Sequence, residues 1–141
     1  MTLDLSPLHS ALAALERSLA FLYSDLAKDP ALREQFRAAS IQAFEFTHEL
    51  GFKMLKRMLE QIVPDPASVD QMTYMQIIRT GAEAGFIADI ARFKEYRDKR
   101  NITSHTYNET KAEEIVVVLR DFDNDLRYLL NALEQRNRAA D

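Results

Sequence analysis

The chain has 141 residues and a mass of 16.2 kDa, enough for one domain: a fold of this size buries about 70% of its unfolded surface, too little for two independent cores. Hydrophobic residues make up 47% and charged residues 28%, which argues against disorder, and the lack of cysteine removes disulfides, thiolate zinc sites and a cysteine nucleophile. With 22 acidic and 18 basic residues the net charge is -4, so any contact with nucleic acid must come from a local basic patch.

Ser6 followed by Pro7 reads as a helix cap and first helical position. From there Leu8, Leu12, Leu15, Leu19, Leu22 and Leu26 step by four and three, one face of a helix that Asp29-Pro30 stops. A second helical pattern runs from Leu32 to Ile62 with a broad apolar face that includes Phe44, Met54, Leu55 and Met58, and Pro64-Asp65-Pro66 ends it. A short helix is predicted over Thr73 to Ala84, and a fourth over Phe86 to Thr103. Thr110-Lys111-Ala112-Glu113 reads as a capping box opening the last helix, whose seam is Ile115, Val118, Phe122, Leu126, Leu129 and Leu133. The run Ile115 to Val118 is the only tempting strand, yet it has no partner and the three-four spacing continues through it. The expected fold is all-α: a single domain over residues 1–141, an antiparallel four-helix bundle with one additional short helix and a frayed tail from Arg136 to Asp141.

No apolar run approaches the ~20 residues of a membrane span, and the N-terminal segment lacks the basic start and apolar stretch of a secretory signal. A cytoplasmic protein without membrane association is expected. Gly51, Gly81 and Gly85 are too far apart for a phosphate-cradling loop. Glu45 and His48, three apart on a helix, resemble half of a di-iron site. Such a site needs a second pair, and neither His9 nor His105 has an acid three residues before it. Glu45 and His48 are therefore read as a surface or dimer-face pair, and no metal or cofactor is expected.

The dense stretch is Arg92 to Glu109, with five basic residues within nine positions. Basic residues near a helix C-terminus complement its dipole, and that alone accounts for them. The residue types also suit chemistry: a permanently charged guanidinium, an imidazole that titrates near neutrality, and a phenol. Arg100 and His105 are five apart, about 140° around a helix. They converge only if the helix loosens near Ser104 or a second copy completes the site.

The string Arg100-Asn101-Ile102-Thr103-Ser104-His105-Thr106-Tyr107-Asn108-Glu109 resembles the motif of the HEPN superfamily: Arg, four residues, His, one residue, Tyr. Within it, the match is to the nucleotidyltransferase substrate-binding branch. The segment Gln42 to Lys56 resembles that branch's central helix, and Arg79 to Ile87 is similar in outline; together the resemblance covers residues 8 to 135. Phe52 stands where the family usually has tryptophan, and Ile87 to Arg92 also departs from its pattern.

The resemblance implies a helical bundle that dimerises with two motifs facing across a cleft. It implies a metal-independent ribonuclease, of the kind encoded as a toxin beside a minimal nucleotidyltransferase antitoxin that attaches AMP to the motif tyrosine. Carried over, Arg100 and His105 are catalytic, Tyr107 is the AMP acceptor and Asn101 is the polar residue after the arginine. Glu45 or Glu49 could orient Arg100 from the central helix, and both fit a solvated helix face equally well. The exposed basic residues Arg92, Lys94, Arg97 and Lys99 would line the RNA groove, with tRNA a candidate substrate. The other reading is a non-catalytic subunit that binds a substrate for the nucleotidyltransferase.

Overall fold

A computed structural model of the protein describes residues 2–140, and no strand occurs among them. The helices are α1 (Ser6–Leu22), α2 (Pro30–Ile62), α3 (Tyr74–Glu83), α4 (Ile90–Asn101), α5 (Glu109–Val116) and α6 (Leu119–Ala140). Tight 3-10 turns lie at Asp25–Lys28, Pro66–Gln71 and Thr103–His105. The fold is the expected all-α bundle. α2 is its central helix and touches every other α-helix.

The leucine ladder of α1 closes the core against α2 and α6: Leu8, Leu12 and Leu15 are fully buried, as are Phe44, Leu55 and Met58 of α2 and Phe122 of α6. Burial of this seam, at roughly 25 cal/mol per Å² of apolar surface removed from water, is part of the main drive to fold. Phe122 sits edge-on against both Phe44, at 4.7 Å between ring centroids, and Tyr96, at 5.1 Å. That arrangement matches the ring quadrupoles. Gly51 lets α6 come close: a Cβ there would lie 2.6 Å from the Leu126 Cδ1.

Helix ends differ from expectation where local hydrogen bonds take over. α1 starts at Ser6 itself, and the Asp4 carboxylate, not Ser6, accepts the exposed Ser6 N–H at 3.0 Å. The same helix stops at Leu22, because the Ser24 hydroxyl donates to the Phe21 carbonyl (2.7 Å) and the chain turns there; Leu26 is consequently exposed. α2 begins at Pro30, capped by Asp29, whose carboxylate accepts from the Ala31 N–H (3.0 Å). α3 has a complete capping box formed by Thr73 and Gln76. Gly85 then ends the turn with φ +91°, left-handed backbone that glycine enters without strain. α4 starts at Ile90, not Phe86, because the Asp89 carboxylate caps the Arg92 N–H at 3.0 Å.

The last predicted helix is two helices. α5 is capped by Asn108, whose side-chain oxygen accepts the Lys111 N–H (3.2 Å). Thr110 thus lies inside the helix, and Glu113 cannot reach back for a capping box because Arg33 and Arg37 hold its carboxylate. The chain breaks at Val117 and Val118, within the β-branched run whose stiff side chains crowd a helix. Val117 points to solvent while Ile115, Val116 and Val118 are buried. α6 continues to Ala140. Asn137 ties it to the N-terminal segment, accepting the Leu3 N–H (3.1 Å) and donating to the Leu3 carbonyl (2.9 Å). The final residue of the expected frayed tail, Asp141, lies outside the described residues.

Candidate functional site

The motif occupies the end of α4 and the connection to α5. α4 closes at Asn101, and the chain tightens into the turn Thr103–His105. The regular helix that would have splayed Arg100 and His105 apart therefore stops between them, as convergence requires. Thr103, buried at this junction, fixes the geometry twice. Its hydroxyl donates to the Arg100 carbonyl (2.8 Å) and accepts from an Arg100 guanidinium nitrogen (3.1 Å).

Arg100 is half-exposed, and its guanidinium lies 3.7 Å from the Glu45 carboxylate of α2. A pair this open adds little stability, about 0–1 kcal/mol, but it aims the fork. Glu49, one turn further along α2, is exposed and makes no ion pair to Arg100. His105 is exposed, and its ring nitrogens have no hydrogen-bond partner among the described residues. Tyr107 stands beside it, 86% exposed, its ring edge-on to the imidazole with centroids 6.0 Å apart. Asn101 is also exposed. Arg100, His105 and Tyr107 thus share one solvent-facing segment.

Glu45 and His48 do not act as a pair. His48 points inward, and its Nε2 lies 3.0 Å from the Tyr74 hydroxyl. That hydroxyl donates its single hydrogen to the Phe93 carbonyl (3.0 Å), so His48 must be the donor, with its proton on Nε2. Burial, then the neighbouring charges of Arg100 and Arg97, lower the imidazole to about 4. His48 is therefore neutral at physiological pH, and it is not the surface residue expected from the sequence.

Among the predicted groove cations, Arg92 has other work. It makes a bidentate pair with the buried Asp125 of α6 (2.7 and 2.8 Å) and a further contact to Asp89 (3.1 Å). The same Asp125 carboxylate accepts from the Tyr96 hydroxyl. This network joins α4 to α6 and removes Arg92 from the groove. Lys94 is exposed and reaches Asp98 at 3.9 Å. Arg97 lies over the Tyr74 ring, 4.8 Å from its centroid. Lys99 is half-exposed. Sequence reasoning missed Thr103, Tyr74 and the inward role of His48. Thr103 carried a legible signal, three residues after Arg100; Tyr74, on another helix, carried none.

A separate groove of about 560 Å³ runs between α1 and α2, lined by Ala11, Ala14, Ala43, Phe46 and other small or apolar residues. It contains no motif residue.

The bundle, with an arginine closing one helix and a histidine and tyrosine in the turn beyond it, defines a HEPN-type domain. Comparison with known proteins agrees: the family model described as "Nucleotidyltransferase substrate binding protein like" matches residues 3–135. The chain belongs to this family, the nucleotidyltransferase substrate-binding branch of the HEPN superfamily. It is 40% identical over 100 residues to a Haemophilus influenzae protein named "Probable ribonuclease HepT", covering 71% of this chain and 68% of that one. A solved Haemophilus influenzae structure, described as the fold of a substrate binding domain of a nucleotidyltransferase, superposes with a TM-score of 0.89 at 31% identity. The match covers 93% of this chain and 99% of that one. Among the described residues, no helix is long and apolar enough to cross a membrane.

Proposed function

We propose that this protein is a metal-independent ribonuclease toxin, held in check by a partner nucleotidyltransferase that transfers AMP to Tyr107. The observation that carries the reading is the shared exposed segment of Arg100, His105 and Tyr107, with Arg100 braced by Thr103 and Glu45. The relative named as a probable ribonuclease supports it.

The chemistry uses these side chains alone. RNA carries its own nucleophile. One His105 takes the 2′-hydroxyl proton as O2′ bonds to the adjacent phosphorus. The P–O5′ bond breaks, and a protonated His105 gives its proton to the leaving oxygen. The products are a 2′,3′-cyclic phosphate and a 5′-hydroxyl. Arg100 holds the non-bridging oxygens, where charge builds up in the transition state. General acid–base help of this kind is worth roughly 10²–10⁴-fold.

One imidazole cannot be acid and base in a single step, so the reading includes a symmetric homodimer whose two motif segments face each other. Lys94, Arg97 and Lys99 would then line the groove twice, a basic stripe on an acidic protein. AMP on Tyr107 adds bulk and about one negative charge beside the site, occluding it and repelling RNA.

The second reading is a non-catalytic subunit presenting a substrate to the nucleotidyltransferase, favoured by the description of the solved structural relative. Expression of this chain alone in a bacterial host separates the two. The ribonuclease reading expects growth arrest by the wild type and tolerance of Arg100→Ala and His105→Ala. It also expects purified wild type to cleave RNA, with tRNA the first substrate to try, in the presence of chelator. If wild type and His105→Ala leave RNA equally intact, the second reading stands. Sedimentation of the wild type as a monomer at micromolar concentration would remove the paired-histidine mechanism.

A further inference from the structure

We propose that Arg97 forms a second phosphate subsite beside Arg100, so that the protein grips an RNA strand at two neighbouring phosphates. This rests on the ribonuclease reading above and specifies what the groove binds.

Arg97 and Arg100 are three residues apart on α4 and share a face, with a Cβ separation of about 5–6 Å for such a pair. That spacing suits consecutive phosphates of a single strand. The two guanidiniums are held differently. Arg100 is braced by Thr103 and Glu45. Arg97 is braced by no carboxylate among the described residues; it rests on the Tyr74 ring, 4.8 Å from the centroid.

That ring is a rigid shelf. Its hydroxyl donates to the Phe93 carbonyl and accepts from His48 Nε2, both at 3.0 Å, and its ring lies tilted against Phe52 with centroids 5.1 Å apart. A planar guanidinium lying on an aromatic face keeps its N–H edge free, and that edge matches a phosphate bidentately. Asp98 is 3.9 Å from Lys94, Asp89 and Asp125 hold Arg92, and Glu45 faces Arg100; Glu49 and Glu95 are exposed and make no ion pair to Arg97. Arg97 is therefore an exposed cation seated over an aromatic ring, with no carboxylate within ion-pair distance among the described residues.

The ligand class follows. A dinucleotide has one phosphodiester and can occupy only the Arg100 position, whereas an oligonucleotide fills both. Kinetics on a dinucleoside monophosphate and on a hexanucleotide test this. Arg97→Gln should lower kcat/KM on the hexanucleotide about tenfold, mainly through KM, with a clearly smaller loss on the dinucleotide. Arg97→Lys, which keeps the charge but not the planar stack, should fall between. In an inactive His105→Ala background, Arg97→Gln should reduce the slope of log affinity against log salt for the hexanucleotide by about 0.7, the release from one phosphate contact.

Equal losses on both substrates, or an unchanged salt slope, would overturn the subsite. If the wild type cleaves neither substrate, the ribonuclease reading fails, while the salt slope still decides whether Arg97 holds a phosphate. Absence of any hexanucleotide binding would overturn both.

Discussion

Acidification should destabilise this domain through His48. Its Nε2 donates to Tyr74, and burial together with Arg100 and Arg97 keeps the ring neutral down to about pH 4. In the unfolded chain the imidazole titrates near 6.5. Because the folded value is the lower one, the unfolded chain takes up the proton first as pH falls. The stability is whole above about pH 6.5 and is lost on the way down to about pH 4. The drop from 6.5 to about 4 corresponds to about 3 kcal/mol when complete and about 2 kcal/mol at pH 5. Asp123 works in the opposite sense: burial, and then the adjacent Glu16, raise its carboxyl to about 7. The wild type alone would therefore show a partial cancellation, and a variant must serve as the baseline. His48→Gln fits, since its amide can still donate to Tyr74 and does not titrate. Urea unfolding near pH 7.5 and near pH 5 should show the wild type losing about 2 kcal/mol more than His48→Gln. Equal losses in the two proteins would refute the buried neutral imidazole.

Asp125→Ala should cost about 1–3 kcal/mol in urea unfolding, because the buried Tyr96 hydroxyl loses its acceptor, while the half-exposed Arg92 keeps Asp89 and water. Asp123→Asn should raise Tm relative to wild type, and the gain should grow from pH 5 to pH 8. The folded wild type keeps its proton below about 7 while the unfolded carboxyl loses it near 4, so its stability falls as pH rises through that range. Co-expression with the partner nucleotidyltransferase should increase the intact mass by whole AMP units, and Tyr107→Phe should abolish the increment while remaining toxic. An unmodified mass from a fully neutralised pair would end the modification reading.

Much of the fold was legible because helices are local. The three-four spacing of Leu8 to Leu22 and of Phe122 to Leu133 marks the faces that α1 and α6 bury; Gly85 marks a stop that needs only its own backbone chemistry, and Asp29-Pro30 marks a boundary, though it opens α2 and does not end α1. The motif was legible for the same reason, since Arg100, His105 and Tyr107 lie within eight positions.

What the sequence left open are the choices between competing partners. Glu113 could close a capping box with Thr110 or pair with Arg33 and Arg37; the approach of α2 decided for the arginines, and the cap moved to Asn108. Arg92 looked like its basic neighbours until α6 brought Asp125 against it. His48 shared a helix turn with Glu45, yet packing turned one inward to Tyr74 and the other outward to Arg100. A charged or hydrogen-bonding side chain takes whichever partner the fold desolvates beside it, and those partners come from distant parts of the chain. The sequence by itself determined most of the helices and the motif; the tertiary contacts decided which charges were spent on structure and which stayed exposed.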